Sequence, residues 1–65
     1  MGVPIVATKW DYRLIENSQQ SEETKAQSMI RWIQANAGQG WEFDQVIDFG
    51  EGGNSQLLFR RLISN

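Results

Sequence analysis

Gln56-Leu57-Leu58-Phe59-Arg60-Arg61-Leu62-Ile63 decides the fold. Apolar residues run through it almost continuously, and only Arg60 and Arg61 break the run. A strand that is apolar at successive positions is apolar on both faces, because side chains alternate across a sheet. Such a strand is covered on both sides and belongs at the centre of its sheet. Before it lies Gly50-Glu51-Gly52-Gly53-Asn54, a turn by composition. Before that, Trp41 to Phe49 alternates: Trp41, Phe43, Ile47 and Phe49 point one way, and Glu42, Asp44, Val46 and Asp48 the other, with Gln45 as a lapse. The two stretches read as a hairpin.

Further upstream, Ala26, Met29, Ile30, Ile33 and Ala37 fall on one stripe of a helix. Ser21 is the expected cap, with Glu22 and Glu23 at the positive end of the dipole. Gly38 and Gly40 can both take positive φ and are expected to end the helix. Lys9 to Glu16 alternates once more, with Trp10, Tyr12 and Leu14 on one side and Lys9, Asp11 and Arg13 on the other. The chain is therefore expected to be α+β, in the order β-α-β-β. A right-handed crossover through the helix joins the first strand to the second, and placing the third strand between them gives the sheet order 1-3-2, with the helix on one face.

One domain spans residues 9–63, preceded by an arm over residues 1–8. In that arm Pro4 bars a central strand but allows an edge. The expected covered face carries Trp10, Tyr12, Leu14, Phe43, Ile47, Phe59 and Ile63. The other face then shows Val46, Leu58, Leu62 and Ile15 to water, an apolar patch on a small domain.

The 65 residues hold neither Cys nor His, so disulfides and the common structural zinc sites are ruled out as staples. A core of this size supplies only about 3–5 kcal/mol of net stability. The remedy we expect is self-association, sheet to sheet or edge to edge. The absence of Cys fits a reducing cytoplasm. The longest N-terminal apolar run, Val3 to Ala7, is too short for a transmembrane helix and lacks the flank and length of a signal peptide. Met1-Gly2 would open a myristoylation motif, but Val6 stands where Ser or Thr is required.

The net charge of −2 and a pI near 4.8 give no general attraction to nucleic acid or anionic membranes. Alternation also sends Arg60 and Arg61 to opposite faces rather than into a basic stripe. Without His or Cys the usual general base and thiol nucleophile are missing, and no Ser, nor Lys9 or Tyr12, has a visible activator. The chain is not expected to be an enzyme or to hold a cofactor. Glu42, Asp44 and Asp48 share a strand face at a spacing a divalent ion accepts, but an acidic outer face paired with Arg60 and Arg13 is the plainer reading, so no metal is expected.

Two tryptophans stand apart. Gly40-Trp41-Glu42 marks a helix-to-strand corner, where Trp41 is expected to fold into the core. Trp32 lies about 120° around the helix from the centre of its stripe, at the edge of the buried face. There it either wraps over the sheet edge or meets a partner. The expected interface residues are Trp32, Val46, Leu58, Arg60 and Leu62. The expected structural residues are Trp10, Tyr12, Gly40, Trp41, Phe43 and Phe59.

Trp10-Asp11-Tyr12-Arg13-Leu14-Ile15, then the helix, Gly40-Trp41-Glu42-Phe43, and Leu58-Phe59-Arg60-Arg61 follow an order that resembles a family of small bacterial and phage domains, domain of unknown function 4177. The resemblance covers about residues 9–61. The family's Leu-Gly helix end is replaced by Asn36-Ala37-Gly38. The resemblance implies the same small α+β fold and brings no activity with it. Three functions stay open at this point. They are a self-associating interaction module, a small-ligand (nucleotide) binding oligomer with a pocket between subunits, and a nucleic-acid accessory protein that the acidic pI opposes.

Overall fold

The computed structural model describes residues 8–48 and 55–64. Strand β1 spans Lys9–Glu16, helix α1 Lys25–Ala37, strand β2 Glu42–Ile47 and strand β3 Gln56–Ser64. The sheet order is β1-β3-β2, with both outer strands antiparallel to β3. The apolar third strand is therefore central, and the fold is α+β as its composition requires. The 1–7 arm and the Gly50–Asn54 turn lie outside the described residues, as does Phe49.

The helix starts three residues later than expected. Thr24, not Ser21, is the cap: its hydroxyl accepts from the Gln27 N–H at 3.1 Å, and the Gln27 side chain accepts from the Thr24 N–H at 2.9 Å. This reciprocal pair satisfies two donors that the first turn leaves unpaired. Ser21 and Glu22 instead form a turn, in which Glu22 takes the left-handed region at φ 66°. At the other end Gly38 stays helical at φ −63°, and only Gly40 goes positive, at φ 88°. The Trp41 N–H then donates to the Asn36 carbonyl at 2.9 Å, which turns the chain back towards the sheet.

The core is small. Leu57 and Phe59 are 0% exposed and Trp41 5%, with Ile15, Met29, Trp32, Ile33 and Phe43 packed around them. Phe43 meets Phe59 edge to face at 5.8 Å.

Two expectations about faces are corrected. In β1 the covered side carries Asp11, Arg13 and Ile15, because Arg13 stands opposite Phe59 and Ile15 opposite Leu57. Trp10, Tyr12 and Leu14 stand opposite Leu62, Arg60 and Leu58, on the face the helix does not cover. Partners across a ladder share a face, so the buried pair Leu57 and Phe59 settles which side is in. In β2 a bulge intervenes: Phe43 pairs with Phe59, but the next partners are Gln45 with Leu58. Asp44 is the extra residue, and beyond it the alternation flips. Val46 thus stands opposite Leu57, on the helix side, although it stays exposed at its end of the sheet, and Ile47 stands opposite Gln56 on the open face. Ile63 is also exposed, because a register shift pairs Lys9 with Ser64 and Trp10 with Leu62 and leaves it without a partner.

The helix is turned as well. Ser28 and Asn36 are its buried residues, while Ala26, Ile30 and Ala37 are exposed. Hydrogen bonds explain the rotation. Ser28 donates to Asn17 Oδ1 at 2.7 Å and to the Lys25 carbonyl at 2.9 Å, and Asn36 accepts from Arg13 Nη1 at 2.8 Å. Among the described residues no buried side-chain polar atom lacks a partner. A polar residue so satisfied can enter a helix–sheet interface at little cost.

Candidate functional site

The open face of the sheet is where the exposed side chains with recognition chemistry converge. Its rows follow from the ladder: Trp10 beside Leu62; Tyr12, Arg60 and Glu42; Leu14, Leu58 and Gln45; Glu16, Gln56 and Ile47. Tyr12 is 54% exposed, Leu14 50% and Leu62 46%, against 0% for Leu57 and Phe59 on the other side of the same strand. Among the described residues no helix lies over this face. The three-stranded sheet is thus dry on one side and wet on an apolar other.

Arg60 organises the middle of this face. Its guanidinium carbon lies 4.2 Å from the centre of the Trp10 ring, and its Nε donates to Glu42 Oε1. The Glu42 hydrogen bond is the first cause holding the Arg60 pKa above its ordinary value. The charge is therefore tied to its own strand neighbours and lies flat across an indole.

Arg61 goes to the helix side, as alternation requires. Its guanidinium and that of Arg13 stand 4.5 Å and 4.3 Å from the centre of the Trp41 ring. Arg61 also donates to Asp11 at 3.2 Å, and Arg13 to Asn36 and, at 3.1 Å, to Gln39 Oε1. The long stems of both arginines cover apolar surface while their heads reach polar partners. This is why β1 can turn its charged side inward. Trp41, Phe43 and Phe59 sit where structural residues are expected, whereas Trp10 and Tyr12 belong to the open face.

Trp32 is half-buried against the core, and its indole N–H donates to the Ser18 carbonyl at 3.1 Å. Arg31 covers it at 5.0 Å and fixes the same loop, donating to Ser18 at 2.9 Å and to both oxygens of Glu23. Trp32 and Val46 therefore lie away from the open face that holds Leu58, Arg60 and Leu62. Sequence reasoning missed Leu14, Tyr12 and Trp10 as members of that face. The inward signal from Arg13 opposite Phe59 exists only once the register is known.

Other chemistry is thin. Among the described residues no group of three His, Cys, Asp or Glu side chains converges for a metal, and no pocket opens. Glu42 is engaged by Arg60, and Asp44 stands at the bulge. No described helix is long and apolar enough to cross a membrane. No protein-family model, curated protein or solved structure matches the chain.

Proposed function

We propose that this chain is a non-enzymatic interaction module of the cytoplasm that self-associates through its sheet. One observation carries the reading. The open face presents Tyr12, Leu14 and Leu62 about half-exposed beside Trp10 and Leu58, on a domain whose described core holds only three buried apolar side chains. Contiguous apolar surface on a small soluble domain marks an interaction site. Trp, Tyr and Arg, the three types most enriched at energetic centres of interfaces, stand together there as Trp10, Tyr12 and Arg60. The residue order resembles that of the domain of unknown function 4177, a likeness that speaks for the fold and adds no activity. Size-exclusion chromatography with light scattering at high micromolar concentration is expected to give a mass above one chain. A single-chain mass there overturns the reading.

A second reading draws on the same cluster. Trp10 and Tyr12 offer ring faces and Arg60 a cation, the chemistry that holds a nucleotide between stacked rings. In that case the pocket forms between subunits. Tryptophan fluorescence titrated with nucleotides separates the readings: a saturating change favours the ligand site, and a flat response across the panel removes it.

A further inference from the structure

We infer that the open face is closed by one second copy of this chain, packed sheet against sheet about a two-fold axis, and that assembly stops at two. The inference rests on the self-association reading and names its surface, its partner and its size.

Edge pairing is the competing route, and both edges are blunted. β1 and β2 are the outer strands: β1 carries Lys9 and turns the charged Asp11 and Arg13 towards the covered side, and β2 is bulged at Asp44. A bulge twists an edge away from a regular ladder and discourages strand addition. The face itself has no such obstacle.

Its charge pattern suits a copy of itself. Near its centre the one cation, Arg60, is neutralised within the chain by Glu42, and Trp10-Leu62 and Leu14-Leu58 flank that row with apolar surface. A two-fold contact sets the same patch against itself, so a face with unbalanced central charge would repel its own copy. This one does not. Glu16, Gln56 and Gln45 lie at the rim, where polar side chains remain wetted.

The flat outline approaches the area a pair needs. Three strands ~4.8 Å apart and about eight residues rising ~3.3 Å each outline a face of roughly 380 Å² per copy, or roughly 760 Å² for two, before side-chain relief is counted. A specific interface buries a total of about 1,000 Å² of accessible surface or more. Such a pair has four layers, helix-sheet-sheet-helix, with sheets about 10 Å apart. Its outer surfaces are the polar sides of two helices, on which Ile30 is the one large apolar residue exposed among the described residues, an isolated case of the ordinary kind. Among the described residues no second open sheet face is left to recruit a third copy.

The test measures mass by sedimentation equilibrium for the unmodified chain and for Leu14→Glu, Leu62→Glu and Ile30→Glu. Two-copy mass is expected for the unmodified chain and for Ile30→Glu. Leu14→Glu is expected to weaken the pair by about a hundredfold or more, since it places an unpaired carboxylate in a dry interface. Circular dichroism checks the fold of each variant, and Leu62→Glu stands in should Leu14→Glu fail to fold. A mass that climbs past two copies with concentration, or a pair that survives both open-face substitutions, overturns this inference while self-association stands. A single-copy mass for the unmodified chain removes both.

Discussion

Glu23 shows what one well-held side chain does in so small a domain. Arg31 donates to both its oxygens, at 2.8 Å and 2.9 Å, and the Gln20 N–H adds a third bond at 2.9 Å. The Arg31 hydrogen bond, with help from the Gln20 amide, lowers the Glu23 pKa from an ordinary 4.5 to about 2. A carboxyl whose folded pKa is depressed stabilises the fold above its unfolded pKa, and the contribution fades as pH falls towards the folded value. Thermal melts at one fixed protein concentration should therefore show Glu23→Gln below the unmodified chain at pH 7. The gap should shrink between about pH 4.5 and pH 2. A gap that does not change across that range would show that the ion pair carries no linked stability. The same arginine also binds the Ser18 carbonyl, so the pair fastens the loop before the helix as well as the helix itself.

At the scale of elements, the helix depends on its first turn. Residues Lys25–Ala37 make a short helix with no acidic residue in the first turn and no basic one in the last, so charge does little for its ends. The Thr24 and Gln27 box does that work, and Thr24→Ala should cost about 1 kcal/mol. In a domain this size the melting midpoint should drop by roughly 4–8 °C, which differential scanning calorimetry reads directly. A midpoint within a degree or so of the unmodified chain would move the start of the helix elsewhere.

Element order, the three strands, the helix and the central place of β3 were all legible in the pattern of apolar residues. The faces were not, for three physical reasons. β1 presents Trp10, Tyr12 and Leu14 as an obvious inner stripe, yet Arg13 and Arg61 line the helix side because Trp41 gives their guanidiniums a ring to lie on. An extra residue at Asp44 exchanges the sides of Val46 and Ile47, and no period-two count detects a bulge. Ser28 and Asn36 enter the helix–sheet interface because Asn17 and Arg13 meet them there. Such partners are distant in sequence and invisible to a local stripe. The candidate site was half legible: Leu58, Arg60 and Leu62 belong to it, while Trp32 turned out to pack against the core.

At the scale of the whole molecule, the chain has built one good side and left the other unfinished. Leu57 and Phe59 are fully buried on the helix side, and the other side offers a row of apolar residues over which no described element lies. A net stability of about 3–5 kcal/mol leaves little margin for an exposed apolar face. A partner that binds only the folded chain raises apparent stability by mass action. A copy of the same chain is present whenever the domain is made, so the self-association proposed above would tie folding to assembly. Isotope-filtered nuclear Overhauser spectroscopy on a mixture of labelled and unlabelled chain observes that covering directly. The account predicts contacts between copies from the methyl groups of Leu14, Leu58 and Leu62 to the rings of Tyr12 and Trp10, and none from Ile30. Contacts between copies that avoid those residues, or no such contacts at millimolar concentration, would contradict it.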